Sequence, residues 1–437
     1  EQNDLPSRWQ VDKNFTICEL GFGTGLNFLL AVDKWNKHTK NSWLNFISIE
    51  NEPLSKSDLN KSLSRWDSLS KFKEQLLNKY PLLVPGFHRL LFPEFRTALT
   101  LCLGDAKEEL QQIEAQVDAW FLDGFSPAKN PEIWEENIYN QMARLSTTNT
   151  SFATFTSAGH VRRNLMAVGF NVSKVKGYGG KRECLKGKFC QQSSNRNTKH
   201  RNSKPWLAFT NIKKSHPESI AVIGSGIAGT SSARALATRG FNVTLFETEK
   251  TIASGASGNP LAILQPYPMA ARNQLGIFLE KGFLFAKQLL GEDENLQKNI
   301  SRHKFGALQL ITSDRLKRVS EEFSNLNVIP ELTSIVTAED ASKISETKIN
   351  SAAFFHPLAE AVNPQELCAA NITKNVSICY NTEVKCMKRE ENSWELSLGN
   401  GDKKYFHTVI ICNSYLAYKF LQLENFKLNQ IKGELAF

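Results

Sequence analysis

Two stretches of this chain share one grammar: an apolar strand, a glycine-rich turn, then a helical run. The first is Phe15–Leu20 followed by Gly21-Phe22-Gly23-Thr24-Gly25, and the second is Ile220–Ile223 followed by Gly224-Ser225-Gly226-Ile227-Ala228-Gly229. A strand that feeds a glycine turn at a helix start opens a nucleotide-binding α/β unit. Glycine lets the backbone approach a ligand, and the unpaired N–H groups of the helix start attract phosphate. Gly21 and Gly224 stand 203 positions apart, so each opens its own domain. The 437 residues suit two or three domains.

Composition narrows the class. Apolar residues make up 41% and charged residues 22%, ordinary globular usage that speaks against disordered or fibrous chains. No run approaches the roughly 18 apolar residues of a membrane span, and no signal pattern opens the chain. The eight cysteines form no CxxC pair, so no zinc site and no disulfide framework is read, and a reducing, cytoplasmic setting is expected. Net charge is +9, and the segment from Lys181 to Glu218, with ten basic and two acidic residues, carries +8 of it. Within that segment Gln191–His200 is polar without periodicity, which predicts a linker over 191–217 between domains at 1–190 and 218–437. A solvated linker and a nucleic-acid contact both explain its charge; Lys181 and Arg182 are the candidate nucleic-acid residues. The chain starts at Glu1 without a methionine and ends at Phe437 in an apolar run, which predicts a fragment at both ends.

In the first unit a helical pattern follows the turn, and Trp43–Ile49 reads as a second strand ending at Glu50. An acid there can accept from ribose hydroxyls. The turn is GxGxG with Glu19 just before it, and this form resembles motif I of class I S-adenosylmethionine methyltransferases. That resemblance implies donor binding by Glu19, Gly21, Gly23, Gly25, Asn27 and Glu50. Leu101-Cys102-Leu103-Gly104-Asp105 places an acid after a short strand, where such enzymes bond the adenine amine. Asp118–Leu122 is a strong strand that delivers Asp123, and Asp123-Gly124-Phe125-Ser126-Pro127 is similar in kind to the Asp-Pro-Pro-Tyr turn of amine-directed methyltransferases. An amine attacks a sulfonium methyl through a free lone pair. Asp123 is therefore the candidate acceptor of an amine proton, with Phe125 packed beside the reacting base. Asp123 as a mere helix cap stays open as the plainer alternative.

The second turn is GxGxxG with strand, helix and a following acid in place: Glu247 ends Phe241–Phe246, 18 residues after Gly229. Gly224, Gly226 and Gly229 would admit a pyrophosphate, and Glu247 would hold a ribose. The Gly/Ser loop Ala253–Pro260 is similar to the loop that passes the flavin in the D-amino-acid oxidase and glycine oxidase superfamily. That resemblance implies FAD and adds Ser257 and Asn259 to the cofactor residues. Phe305–Leu310 reads as a strand of a substrate subdomain spanning roughly 300–362. Val362–Leu367 looks like the return to the FAD domain, and Val409–Ser414 like a further dinucleotide-side strand.

Leu5-Pro6-Ser7-Arg8-Trp9, Glu19–Phe28, Leu122–Pro131 and Gly180-Lys181-Arg182-Glu183, with the FAD features in the same order behind them, resemble the bacterial family of bifunctional tRNA 5-methylaminomethyl-2-thiouridine biosynthesis proteins. The implied fold is α/β: a class I methyltransferase Rossmann-like domain, then a FAD-binding Rossmann-type domain with an inserted α+β substrate subdomain. The implied activity is a tRNA-modifying enzyme using S-adenosylmethionine and FAD, with tRNA as partner and neither metal nor membrane. The flavin unit would oxidatively remove a carboxymethyl group from a wobble-uridine amine, and the methyltransferase unit would methylate the amine left behind. The Lys432–Phe437 segment looks like the start of a substrate-side strand. A small-amine oxidase fused to a small-molecule methyltransferase, and an RNA-binding scaffold without catalysis, remain as alternatives. Trp66, Phe87, Phe92 and Trp134 are expected in the core, and His160 and His356 in structural roles.

Overall fold

The computed structural model describes residues 2–10, 13–39, 41–177, 179–180, 182–190, 219–271, 273–326 and 328–420. Lys181, the 191–217 linker and the Lys432–Phe437 segment lie outside these residues. The chain divides into two compact units.

The first unit is built on one eight-stranded sheet. Its strands are β1 (Phe15–Leu20), β2 (Leu44–Glu50), β3 (Gly86–Phe92), β4 (Thr97–Leu103), β5 (Val117–Leu122), β6 (Ser146–Thr154), β7 (Phe170–Lys176) and β8 (Glu183–Phe189). The order is β3-β4-β2-β1-β5-β6-β8-β7. β4, β2, β1, β5 and β6 run parallel, while β3, β8 and β7 pair antiparallel at the two ends. Five of the six residues of β1 are buried, as a central parallel strand covered on both faces requires. β3 alternates buried and half-buried residues, the signature of an edge strand with one face on the core.

The covering helices are α1 (Leu26–His38), α2 (Lys56–Leu63), α3 (Ser70–Lys79), α4 (Ala106–Gln112), α5 (Glu136–Leu145) and α6 (Gly159–Ala167). α5 buries Ile138, Tyr139, Met142 and Leu145, one stripe at helical spacing. Trp35 and Trp120 are fully buried on this sheet. Truncation of either to alanine would cost about 3–5 kcal/mol. Phe92 and Trp134 join the core, but Trp66 does not: it is 39% exposed, in the short turn between α2 and α3. The sequence periodicity around it is too short to fix a face.

The second unit carries a four-stranded parallel sheet in the order β17-β10-β9-β21, built from β9 (Ile220–Ile223), β10 (Val243–Phe246), β17 (Val376–Cys379) and β21 (Thr408–Ile411). Helix α7 (Ile227–Ala237) follows β9 and packs on it. Between β10 and β17 the chain makes two antiparallel three-stranded sheets. One joins β11 (Ala262–Leu264), β12 (Arg302–His303) and β16 (Glu360–Val362). In it the buried pair Arg302–Glu360, 2.7 Å apart, ties β12 to β16. The other joins β13 (Ala307–Leu310), β14 (Ser334–Val336) and β15 (Ala353–His356). Helices α8 (Gln274–Glu292), α9 (Glu294–Asn299), α10 (Asp314–Phe323) and α11 (Ala338–Ser345) accompany them. The chain then enters α12 (Pro364–Ala370), where Asn363 caps the helix and Pro364 occupies its first position. A meander of β18 (Val384–Arg389), β19 (Trp394–Leu398) and β20 (Lys403–Phe406) precedes β21. Both units are α/β, with parallel strands feeding glycine turns.

His356 is fully buried in β15, with Nδ1 2.9 Å from Thr333 Oγ1, and burial lowers its pKa to about 4. His160 is exposed in the first turn of α6.

Candidate active site

In the first unit β1, β2, β4 and β5 end at one edge of the sheet, and the sequence-predicted residues gather there. Gly21 (φ +89°) leaves β1 in a left-handed conformation, and a Cβ on it would stand 2.7 Å from the Cα of Gly124 in the turn after β5. Two turns from different strands thus pack backbone to backbone, which only glycine permits. Gly23 (φ +52°) would meet nothing with a Cβ, so the space beside it is open. Gly25 serves packing: it caps α1, and a Cβ there would press on the Phe22 ring at 2.7 Å.

Glu19, at the penultimate position of β1, is fully buried. Its carboxyl accepts from Ser48 Oγ at 2.7 Å and from Asn27 Nδ2 at 2.9 Å. Burial raises its pKa to about 8 against the lowering pull of those donors, and the nearby charges of Asp123 and Glu50 add to the rise. Asn27 Nδ2 also donates to Asp123 Oδ2 at 2.8 Å, so one amide bridges the buried acid and the exposed one. Glu50, at the end of β2, accepts from the backbone N–H groups of Gly23 (2.8 Å) and Glu52 (2.9 Å). Asp105 caps α4 through Lys107 N at 2.8 Å while lining the same hollow. Phe125 holds its carbonyl to Trp134 Nε1 at 2.9 Å and leaves its ring 64% exposed.

Two cavities meet at Asp123. One, of about 180 Å³, is lined by Gly21, Gly23, Glu50, Asp105, Gly124 and Phe125. The other, of about 380 Å³, is lined by Asn3, Asn27, Asp123, Thr154, Phe155 and Cys184. The first offers an open glycine backbone with the carboxylates of Glu50 and Asp105 at two strand ends, which suits a nucleoside. The second presents a carboxylate backed by an amide, which suits an amine. Sequence reading missed Ser48, Asn3 and Cys184. Ser48 carries a signal of a kind, a hydroxyl inside an otherwise apolar strand; the other two come from the N-terminus and from β8, and only the fold brings them here.

The second unit repeats the device more tightly. A Cβ on Gly229 would stand 1.8 Å from the carbonyl oxygen of Gly224, and one on Gly224 (φ +100°) 2.7 Å from that of Cys412. Glu247 is buried at the end of β10 and accepts from Ser225 N (3.1 Å), Ser225 Oγ, Thr248 Oγ1 (3.1 Å) and Glu249 N (2.9 Å). Burial alone would raise its pKa, but these donors outweigh it and hold the carboxylate below its ordinary range. Ser257 Oγ accepts from Ile227 N, the first N–H of α7, at 3.0 Å. Gly226, the N-cap of that helix, offers no side chain there. The loop is held in place by Gln365 Nε2, which donates to Gly258 O at 2.6 Å. Asn259 instead turns into its own loop, donating to Ala256 O at 3.1 Å. Arg182 lies outside both clusters, exposed at the start of the β7–β8 hairpin's return.

Among the described residues no group of three or more His, Cys, Asp or Glu side chains has metal-site geometry, and no helix is long and apolar enough to cross a membrane.

Residues 67–189 match the family model of an S-adenosyl-L-methionine-dependent methyltransferase, and residues 219–436 that of a FAD dependent oxidoreductase. The protein therefore joins a methyltransferase-type unit to a FAD-dependent oxidoreductase-type unit. It is 38% identical over 446 aligned positions to the tRNA 5-methylaminomethyl-2-thiouridine biosynthesis bifunctional protein MnmC of Methylobacillus flagellatus, covering 99% of this chain and 65% of that one. It is 35% identical to the protein of the same name from Vibrio campbellii, covering 100% of this chain and 66% of that one. The chain aligns with these bifunctional proteins over 99–100% of its own length and spans 65–66% of theirs. Among solved structures, glycine oxidase from Geobacillus kaustophilus is 20% identical, with a TM-score of 0.41 over 47% of this chain and 57% of that one. MNMC2 from Aquifex aeolicus is 24% identical, with a TM-score of 0.33 over 44% of this chain and 58% of that one.

Proposed function

We propose that this protein modifies the wobble uridine of tRNA in two steps, in a cytoplasmic setting. The flavin unit removes the carboxymethyl group of a 5-carboxymethylaminomethyl-uridine, and the methyltransferase unit methylates the 5-aminomethyl group that remains. The observation that carries the reading is Asp123, an exposed carboxylate at the meeting of a nucleoside-sized hollow and a larger cavity.

The residues at the first turn fit S-adenosylmethionine. The open side of Gly23 admits the donor's backbone-facing portion, and Glu50 at its strand end accepts from ribose hydroxyls in place of the Gly23 and Glu52 N–H groups. Asp105 takes the adenine amine, and Glu19 holds Asn27 beneath Asp123. The bound donor supplies an electrophilic methyl group. Asp123 takes a proton from the primary ammonium or its hydrogen-bonded amine, which frees and aims the nitrogen lone pair. Phe125, exposed at the rim, packs against the extruded uracil and keeps water from the nitrogen. Asp123 Oδ2 is already engaged by Asn27, so Oδ1 is the oxygen that faces the amine.

The residues at the second turn fit FAD. Gly224, Gly226 and Gly229 leave the backbone bare for a pyrophosphate at the start of α7, and Glu247 takes the adenosine ribose. Ser257 orients the first N–H of the helix. FAD held there would supply hydride acceptance from the carboxymethyl carbon beside the amine nitrogen; with water, that carbon would leave as glyoxylate and the primary amine would remain for the first unit.

The test is transfer of labelled methyl from S-adenosylmethionine to bulk tRNA from cells lacking this modification, with the labelled nucleoside identified by mass spectrometry. The expected product is label on 5-methylaminomethyl-uridine. A chain that binds the donor but labels no tRNA overturns the reading and favours a small free amine as acceptor.

A further inference from the structure

We propose that the first turn of α6 and the β7–β8 hairpin together form a phosphate-docking surface that seats the RNA strand flanking the reacting base; this rests on the tRNA reading above. The placement follows from strand register. β6 runs parallel to β5, with Thr154 opposite Leu122, so β6 ends at the same sheet edge as Asp123. β8 is antiparallel to β6, with Leu185 opposite Thr154, and Lys176 at the end of β7 faces Glu183 at the start of β8. The β7–β8 hairpin and the start of α6 therefore both rise from the edge where Asp123 stands. Phe155 and Cys184, which line the 380 Å³ cavity, sit directly at the roots of these two segments.

This edge is cationic beyond what the fold needs. Arg162 and Arg163 stand exposed near the start of α6, and no acidic residue accompanies them in its first turn. A helix N-terminus carries partial positive charge, so cations in its first turn oppose the dipole. Arg163 turns back over the helix start: a Cβ on Gly159 would stand 3.2 Å from its Nη1. Lys176 and Arg182 extend the patch across the hairpin, and both are exposed. The local acids are already committed, Glu183 to Lys174 at 2.6 Å and Asp4 to Lys186 at 3.6 Å. Arg162, Arg163, Lys176 and Arg182 form no ion pair with a described residue. A row of unpaired cations around the mouth of a base-sized cavity suits a single-stranded loop. Its phosphates sit on the rim while one base turns inward.

The test measures tRNA affinity of the full chain, loaded with S-adenosylmethionine, across a salt series. The double variant Arg162→Glu with Arg163→Glu is expected to bind tRNA about tenfold or more weaker at physiological salt. Its log–log salt slope should be shallower by roughly 1.4 to 1.8, about 0.7–0.9 per lost phosphate contact. Donor affinity and methyl transfer to free 5-aminomethyluridine should stay at wild-type values, which shows that the fold and the site survive. Arg162→Lys with Arg163→Lys should keep most of the tRNA affinity. If the reversal variant binds tRNA within twofold of wild type at every salt concentration, this surface is not the docking site. If the wild-type chain binds the donor yet neither binds nor methylates tRNA, the tRNA reading itself falls, and this surface with it.

Discussion

Glu19 and Glu247 are each a buried acid near the carboxyl end of a parallel strand beside a glycine turn, but Glu19 lies on the strand that enters its turn and Glu247 follows the neighbouring strand. Yet their chemistry runs in opposite directions. Glu19 receives two side-chain donors and faces two other carboxylates, and its pKa rises to about 8. Glu247 receives the backbone and hydroxyl of Ser225 from the turn, together with Thr248 Oγ1 and Glu249 N from the segment behind it, and its pKa falls. Burial pushes both upward: for the fully enclosed Glu19 it wins over the two donors, and for the less enclosed Glu247 the donors win. GxGxxG curls Ser225 back onto its acid, whereas GxGxG leaves Gly23 beside open space and gives its N–H to Glu50 instead. The tighter turn favours the ionised form of Glu247, and the looser one leaves a protonatable acid, Glu19, joined through Asn27 to Asp123.

The largest test of this contrast is an alanine at each turn. Gly229→Ala puts a Cβ into the Gly224 carbonyl with no free space to relax, and should cost about 3 kcal/mol or more. We expect the second unit to unfold early in urea and to lose FAD. Gly23→Ala meets no atom and incurs only left-handed strain, about 1 kcal/mol. It should fold and lose donor affinity. Equal losses of stability in the two variants would mean that the turns are not mechanically different.

Asp123→Ala comes next and acts on the loose side alone. Methyl transfer should fall about 10²–10⁴-fold, the range for removal of a general base, while donor and tRNA affinity hold. The same change removes one of the charges that raise Glu19, so the pKa of Glu19 should drop, readable by carboxyl NMR or by the pH profile of stability. Unchanged turnover would reduce Asp123 to a structural acid.

Much of this contrast was legible in the sequence, and particular residues show why. The two glycine turns, Glu50, Asp123 and Glu247 are local: strand end, turn and acid lie within a few residues, so pattern alone locates them. The opposite titration of Glu19 and Glu247 was not legible. It depends on the fold enclosing Glu19 completely, with Asp123 and Glu50 brought near it from other strands, and on Ser225 folding back over 22 positions onto Glu247. The cationic edge was seen only in part, since Arg182 was read as a candidate and Arg162 and Arg163 were not. The register of three strands brings them together, and no spacing in the sequence encodes it. Trp66 failed for the converse reason: an aromatic residue in a short turn has no periodicity to say which way it points.

The pH dependence of the two units should differ in sign. Glu19 has a folded pKa raised above its unfolded value, so its contribution to stability is fully present below about pH 4.5 and is lost as pH rises through about 8. Glu247 has a lowered folded pKa, so its contribution is present above the ordinary carboxylate range and is lost as pH falls through it. Urea titrations of Glu19→Gln at pH 5 and pH 9 should show a flatter pH dependence of the first unit than in wild type. A wild-type first unit that gains stability between pH 5 and 8 from this residue would contradict a protonated Glu19.

The finest test removes one hydroxyl from each acid. Ser225→Ala takes a donor from an ionised carboxylate in the second unit, a bond worth about 1.5–3 kcal/mol. Ser48→Ala takes a donor from Glu19, largely neutral at pH 7 by its raised pKa, where a bond contributes only about 0.5–1.5 kcal/mol. The serine of the tighter turn should therefore cost more at pH 7. The gap should close at pH 9, where Glu19 ionises and needs Ser48 as much as Glu247 needs Ser225. Urea denaturation of both variants at the two pH values measures it. A gap that does not change with pH would show that the two acids carry the same charge, and that the difference between the turns lies in packing alone.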